Sequence, residues 1–272
     1  MTIIDSDNLV HPEYLNELDK LFNQGFLAVQ GIREAKNLNT TYACLDAARD
    51  IYYHFYDGKL LFKVRSSATL AGSGMAFTTA LYRECLEQLD ITGAGFDKVL
   101  QAAIVGRNLR IAFAGKAIVY DEKTSHSDQL VNQRSRWINT WFRYFKFGFT
   151  MIGKGIVNFS WNQFLFGFIL LRPPLFIFLL ISILFFFINL FTSALGTILW
   201  VCGFLIFVIG FVIALLTSHT DKRIYQSLIN IPKFIFYQVL SLLKVRGANK
   251  RSVATTHYNN HTIDQIIKND EN

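Results

Sequence analysis

Residues 173–219 read PPLFIFLLISILFFFINLFTSALGTILWVCGFLIFVIGFVIALLTSH and contain no Lys, Arg, Asp or Glu. A bilayer-spanning helix needs about 20 apolar residues, so a run of more than about 40 with a polar, glycine-containing break suffices for two. The stretch therefore predicts a two-helix transmembrane hairpin, with spans at about 172–191 and 195–217. A buried hairpin in a soluble protein is the alternative, but core helices of this length usually keep a charged face.

Basic residues lie on both sides of this hairpin, whereas its short connection is uncharged. Those before it are Arg134, Arg136, Arg143, Lys146, Lys154 and Arg172, and those after it are Lys222, Arg223 and Lys233. Because the cytoplasmic flanks of membrane helices carry an excess of Lys and Arg, both flanks are expected in the cytoplasm and the connection outside. We therefore expect a multi-pass protein of the cell membrane, with the lipid bilayer as a partner.

The overall composition agrees with this division of the chain. Its 272 residues are 51% hydrophobic and only 17% charged, against about 25% charged residues in typical soluble domains. Intrinsic disorder and a purely solvated domain are therefore excluded for the chain as a whole. The three cysteines are far apart and form no CxxC pair, which argues against a disulfide framework or a zinc site. The net charge of +7 gathers beside the hairpin, and no nucleic-acid partner is expected.

Three shorter segments surround the hairpin. Residues 147–171 are rich in Phe and Gly with an isolated Lys154, which is typical of an interfacial segment, with a further partial span as the alternative. Residues 218–246 are predicted to form cytoplasmic interfacial helices that break at Pro232. Residues 247–272 form a polar tail.

Residues 1–146 alternate strand-like and helix-like patterns. Short apolar or β-branched runs predict strands at 2–4, 26–30, 75–77, 109–113 and 117–120. Helical apolar spacing predicts helices at 12–23, 38–62, 79–89 and 98–105. This alternation predicts an α/β fold.

Two carboxylates, Asp5 and Asp7, follow the first predicted strand as Asp5-Ser6-Asp7. The ends of strands are where α/β folds place ligand-binding groups. Two carboxylates in such a turn can share a hard divalent cation with a diphosphate. A solvated turn with no ligand is the alternative, because an Asp-x-Asp triplet is common by chance.

The segment QRSRW at 133–137 is more specific. On a helix that leads towards the membrane, it offers an amide, a guanidinium for phosphate or acceptor oxygens, and an aromatic plane for a sugar ring. The alternative is a basic juxtamembrane stripe that binds anionic lipid headgroups.

Two further segments complete a pattern: AGSGMAF at 71–77 and AGKAIVYD at 114–121. Together with DSDN at 5–8 and QRSRW at 133–137, they occur in the order and spacing of membrane-bound family 2 glycosyltransferases, the processive synthases of cellulose, chitin and hyaluronan type. The chain resembles this family over about residues 2–218. The resemblance implies a partial GT-A-like mixed sheet with helices in residues 1–146, followed by interfacial helices and the transmembrane hairpin.

The resemblance also implies a role for each motif. The carboxylates of Asp5 and Asp7 would bind Mg²⁺ or Mn²⁺ together with the diphosphate of a nucleotide sugar, expected to be a UDP-sugar. The other diphosphate-binding positions would be Gln133 and Arg136, and the acceptor-binding positions would be Gly72, Ser73, Gly74 and Trp137. The implied reaction is an inverting, metal-dependent transfer of a hexosyl group to a growing glycan at the cytoplasmic membrane face.

The sequence departs from the family at the catalytic base. The family carries a Glu-Asp pair whose Asp deprotonates the acceptor hydroxyl, whereas residues 91–100 read ITGAGFDKVL. An alignment with the family that contains no gap places the Glu-Asp pair at Ala94 and Gly95. A small shift of this alignment instead places Asp97 at the position of the catalytic Asp. We expect Asp97 to be the base because residues 91–120 contain no other carboxylate.

A second departure is at the start of the chain. Members of the family have upstream strands that bind uracil and ribose, usually preceded by another transmembrane segment. We therefore expect an N-terminally truncated chain.

Other functions stay open at this stage. An inactive truncated membrane remnant or scaffold would explain the missing Glu-Asp pair, and a glycosyltransferase with a lipid acceptor would share the same motifs. A channel or transporter is disfavoured because two helices without an intramembrane charge provide no ion path. A partner subunit is possible.

Overall fold

A computed structural model describes residues 1–86, 95–246, 248 and 262–270 of the chain. Its sheet has five strands in the order β1-β4-β3-β5-β2, and β3 and β5 are parallel while all other neighbours are antiparallel. The strands are β1 (Thr2–Ile3), β2 (Leu9–Val10), β3 (Ala28–Ala35), β4 (Met75–Phe77) and β5 (Ile111–Asp121). The predicted mixed α/β sheet is therefore confirmed.

Strand β5 differs from the sequence prediction of two separate strands at 109–113 and 117–120. It is one strand whose pairing with β3 shifts between Gly31 and Ile32, where Ala114 and Ile118 are the successive partners. The bulged backbone comes so close that a Cβ at Gly31 would lie 2.5 Å from the Ala117 carbonyl oxygen. The absent side chain of Gly31 therefore allows one bulged strand where the sequence suggests a turn.

Helices cover both faces of the sheet. They are α1 (Tyr14–Phe22), α2 (Thr41–Tyr53), α3 (Leu61–Lys63), α4 (Thr79–Leu86), α5 (Phe96–Gly106) and α6 (Ser127–Tyr144). Because successive strand residues point to opposite faces, Ala28 packs in the core with Leu100 of α5, and Val29 packs with Tyr14 of α1.

The helix predicted at 38–62 changes its winding along its length. After α2, residues His54–Leu60 form a π-helical turn that leads directly into α3. Such turns are rare and are often found at functional sites. Here the turn faces the cavity described below, which His54, Asp57 and Gly58 line.

The C-terminal half is helical in the residues that the structure describes. Its helices are α7 (Phe147–Val157), α8 (Trp161–Leu171), α9 (Leu175–Thr192), α10 (Ala194–Leu216), α11 (Lys222–Ser227), α12 (Ile231–Leu243) and α13 (Ile263–Asp270). Pro232 lies in the first turn of α12, where proline is well tolerated. α13 lies within the predicted polar tail.

Helices α9 and α10 are the expected apolar pair. Both are long and apolar enough to cross a membrane, and only 6% and 11% of their most apolar windows are buried within the chain. A core hairpin of a soluble protein would be mostly buried, so this exposure favours lipid contact over the buried alternative. The bounds differ from the predicted spans by one to three residues at each end.

Candidate active site

The predicted site residues meet at one large cavity between the sheet, α2, α6 and the apolar pair. Its volume is about 1170 Å³. The predicted residues that line it are Asp5, Asp7, Gly72, Asp97, Gln133, Arg136 and Trp137. The other two, Ser73 and Gly74, are buried and belong to the loop that carries Gly72. Motifs far apart in the sequence thus share one cavity.

The turn that carries Asp5 and the glycine-rich loop are joined directly. Because β1 pairs with β4, the segments at their ends are neighbours. The Ser73 hydroxyl accepts hydrogen bonds from the backbone N–H of Asp5 (3.1 Å) and from Asn8 Nδ2 (2.7 Å). The Ser73 side chain therefore holds the acidic turn in place.

Gln30, which the sequence reading missed, supports the same loop from β3. Its side chain is 1% exposed; its Nε2 donates to the Ser73 carbonyl (3.0 Å), and its Oε1 accepts from the backbone N–H of Ala71 (2.9 Å). In the sequence Gln30 only ends the apolar run at 26–29, and β3 continues through Arg33 and Glu34, so no local pattern indicated this role.

The carboxylate of Asp5 is surrounded by more carboxylates than cations. Partial removal from water raises its pKa and Asp7 raises it further, Arg33 opposes this increase, and Asp121 and Asp97 add smaller increases. Such a site favours a bound cation.

The donor atoms fit a hard divalent cation. Mg²⁺ is usually held by one or two protein carboxylates together with substrate phosphates, and Asp5 and Asp7 supply such a pair. The described residues contain no group of three or more His, Cys, Asp or Glu side chains that could hold a metal ion alone. The diphosphate would therefore have to supply the remaining ligands.

Asp97 lies in the first turn of α5 and faces the cavity. Its carboxylate is 3.1 Å from Lys98 Nζ, and Lys98 also donates to the Leu70 carbonyl (3.0 Å). Gly95, immediately before α5, has φ +104°, and a Cβ there would lie 2.5 Å from Tyr144 Cε2. A carboxylate at position 95 would be strained and crowded, while Ala94 lies outside the described residues. The assignment of the base to Asp97 stays a prediction.

The QRSRW segment lies on α6, as expected. Gln133 Oε1 accepts from Thr124 Oγ1 (3.1 Å). The ring of Trp137 contacts two guanidinium groups, with the Cζ atoms of Arg134 and Arg49 at 4.2 and 4.4 Å from its centroid. These cation–π contacts orient Trp137 in the cavity wall.

A network of buried ion pairs underlies this wall. It joins the cations Arg33, Arg49, Lys123 and Arg134 to the carboxylates Asp46, Asp50 and Asp121. Burial would raise the pKa of Asp50, but Arg49, Lys123 and Arg33 outweigh it and hold this pKa well below its usual range. The sequence reading missed the network, although Asp46, Arg49 and Asp50 have the i, i+3, i+4 spacing of one helix face.

His54 lies at the start of the π-helical turn and also faces the cavity. Burial, together with Arg33 and Lys123, lowers its pKa to about 3, and Asp50 offsets this only in part. The imidazole is therefore neutral at pH 7.

The π-helical region also attaches the apolar pair to the cavity. Asp57 pairs with Arg172, three residues before α9. The Tyr56 hydroxyl donates to the Gly210 carbonyl in α10 (2.8 Å). Both apolar helices are thus tied to the cavity wall.

A mixed sheet beside a cavity lined by acidic and basic side chains, followed by a pair of long apolar helices, points to a glycosyltransferase-like domain with an apolar helical hairpin. Residues 1–140, more than half of the chain, match the family model "Glycosyltransferase like family 2". The chain belongs to this family, and the membership supports glycosyltransferase activity. No curated protein matches the chain.

Proposed function

We propose that this protein transfers a hexosyl group from a nucleotide sugar, a UDP-sugar, to a growing glycan at the cytoplasmic face of the cell membrane. One observation carries the proposal: the turn of Asp5 and Asp7, the carboxylate of Asp97 and the QRSRW segment line a single cavity. That arrangement brings groups suited to the donor, the base and the acceptor to one place. Family membership supports it independently.

The residues have distinct roles in the proposed inverting reaction. Asp97 accepts the proton of the acceptor hydroxyl, whose oxygen attacks the anomeric carbon as the nucleoside diphosphate leaves. Arg136 and Gln133 bind the diphosphate, and Trp137 with the loop of Gly72 positions the acceptor. Asp5 and Asp7 would hold Mg²⁺ or Mn²⁺, which when bound would supply positive charge for the leaving diphosphate.

A lipid acceptor is a second candidate, and the shape of the cavity favours it. The cavity extends from the charged groups to the apolar helices, where Phe176 and Leu179 of α9 and Phe207 and Phe211 of α10 line it. An acceptor with an apolar tail would bury that tail there. A growing glycan, which has no apolar tail, would instead have to leave the cavity along the apolar surface of α9 and α10.

The test is release of nucleoside diphosphate by the chain in native membranes or detergent, with Mn²⁺ and a panel of UDP-sugars. We expect turnover with at least one donor, abolished by Asp7→Ala and retained in Asp19→Ala, a matched change on the exposed face of α1. Product that partitions into organic solvent would identify a lipid acceptor, and water-soluble polymer a glycan. No turnover with any donor would favour the inactive scaffold.

A further inference from the structure

The wall of the cavity between α2 and α6 carries two guanidinium groups that the proposed transfer does not use. Arg134 is 3% exposed and pairs with Asp46 through Nη2, but its Nε and Nη1 have no hydrogen-bond partner. Arg49 pairs with Asp46 and Asp50 through Nη2, and its Nε also lacks a partner. Contact with the ring of Trp137 supplies no acceptor lone pair for these donors.

A third side chain with an unpartnered donor, Trp141, lies on the same face of α6 as Arg134. Arg134, Trp137 and Trp141 have the i, i+3, i+7 spacing of one helix face. The Nε1 of Trp141 is buried without a hydrogen-bond partner, and Trp141 also lines the cavity. Buried donors almost always have a partner in folded proteins, so several together in a cavity wall indicate a missing acceptor.

The charge balance points to an anionic acceptor group. The seven residues of the ion-pair network comprise four cations and three carboxylates. Burial and the neighbouring Arg49 together lower the pKa of Arg134 to about 10, because Asp46 and Asp50 offset their effect only in part. A bound anion would restore the balance.

The residues expected to hold the donor diphosphate are Asp5, Asp7, Gln133 and Arg136. Neither Arg49 nor Arg134 is among them, although Arg134 follows Gln133 directly on α6.

We propose that Arg49, Arg134 and Trp141 form a subsite for an oxyanion, a phosphate or carboxylate carried by the acceptor. That the oxyanion belongs to the acceptor rests on the proposed function, whereas the binding of an oxyanion does not. Guanidinium groups suit both anions because their paired N–H donors match two oxygens. A phosphate would come from a lipid headgroup, whose tail reaches the apolar helices, and a carboxylate from an acidic sugar of a glycan.

The experiment uses tryptophan fluorescence of the full chain in a neutral detergent. The chain has four tryptophans, and the double substitution Trp161→Phe/Trp200→Phe leaves only the two beside the subsite, Trp137 and Trp141. Inorganic phosphate, glucuronate and farnesyl phosphate are titrated, with glucose and farnesol as neutral controls. Binding is measured without sugar transfer, so the result does not depend on the proposed reaction.

We expect a saturable change with phosphate or glucuronate and none with glucose. Arg49→Gln should weaken binding about tenfold, because one charge-assisted interaction is lost, whereas Arg49→Lys should retain part of it. Arg143→Gln, an exposed change on the same helix as Arg134, should leave binding unchanged. Arg49 is the better target because Arg134 still pairs with Asp46 in its absence.

The probes also separate the two sources. Tighter binding of farnesyl phosphate than of both inorganic phosphate and farnesol supports the lipid headgroup, and tighter binding of glucuronate supports an acidic glycan. The proposal is overturned if none of the three anions gives a saturable change, or if Arg49→Gln binds them as tightly as the parent.

Discussion

The hydroxyl of Ser73 accepts a hydrogen bond from the backbone N–H of Asp5 at 3.1 Å. This bond crosses from the loop before β4 to the turn after β1, which are far apart in sequence. Since the same hydroxyl also accepts from Asn8, one buried side chain fixes both ends of the acidic turn. The position of the proposed metal-binding carboxylates therefore depends on the glycine-rich loop.

Replacing Ser73 by Ala should weaken donor use. The change leaves the Asp5 N–H and the Asn8 amide without their acceptor, a loss of about 1–2 kcal/mol, which corresponds to about a 5- to 30-fold fall in kcat/KM for the nucleotide sugar. Ser6→Ala is the matched control, because it removes an exposed hydroxyl from the same turn. Equal kinetics of the Ser73 and Ser6 variants would contradict the proposed role of this bond.

Replacing Asp97 by Asn should remove the catalytic base and keep the size of the side chain. A base contributes typically 10²- to 10⁴-fold, so kcat should fall by about that factor while the KM for the donor changes little. Glu84→Gln, an exposed carboxylate on α4, is the control. If Asp97→Asn kept near-normal kcat, another group would have to act as the base.

Binding of Mn²⁺ should depend on pH through Asp5. Its pKa is raised by partial removal from water and by Asp7, so its carboxylate takes up a proton at a higher pH than an ordinary aspartate does. Metal affinity should therefore fall as the pH is lowered, since a protonated carboxyl is a poor ligand. Electron paramagnetic resonance of free Mn²⁺ measures this directly. Asp5→Asn should bind more weakly and show a smaller pH dependence, because only the Asp7 carboxylate remains, whereas Asp19→Asn should keep both the affinity and the pH dependence of the parent.

Local pattern predicted most of the elements but not how they combine. Local sequence predicted the strands at 26–30 and 75–77, because short apolar runs indicate strands. It also predicted the two apolar helices, because a long run without charged residues indicates them. β5 was not, because Gly115 reads as a turn signal, whereas the bulge opposite Gly31 continues the strand. That bulge requires a contact between distant residues, which a local window does not contain.

The candidate site shows a similar division. Asp5, Asp7 and Trp137 were predictable because they lie in recognisable motifs. Arg49 and Asp50 look like ordinary helix-surface charges in the sequence, and only the packing of α2 against α6 and β3 buries them. The sequence therefore indicated the side chains expected to contact substrates, but not the buried ion pairs that hold these side chains in place.

Acidification should destabilise the fold through His54. Its pKa is about 3 in the folded chain and about 6.5 when unfolded, so between these pH values the unfolded chain binds more protons. The contribution of His54 to the free energy of unfolding is then fully present above pH 6.5, and it falls by about 1.4 kcal/mol for each pH unit below 6.5. From pH 7.5 to 5.0 the histidine should contribute a loss of about 2 kcal/mol.

Melting temperatures at the two pH values test this. His54→Gln should show a smaller fall between pH 7.5 and 5.0 than the parent protein, because the substituted side chain does not titrate. His219→Gln, an exposed histidine after α10, should behave like the parent. An unchanged fall in His54→Gln would mean that other groups control the acid sensitivity.

The pair of Asp57 and Arg172 should couple the cavity wall to the apolar helices. Asp57 is 5% exposed, and burial raises its pKa even though Arg172 lies beside it. Arg172→Met would leave this carboxylate buried without a counterion, which costs about 3–5 kcal/mol. Adding Asp57→Asn should recover much of the loss, because no buried charge then remains.

The exposed pair of Asp221 and Arg223 provides a matched double-mutant cycle, in which we expect a coupling energy of at most about 1 kcal/mol. Melting temperatures of both cycles measure the two couplings. Equal values would show that the Asp57 pair is no more than a surface contact, whereas a larger value for Asp57 would establish it as the joint between the two parts of the chain.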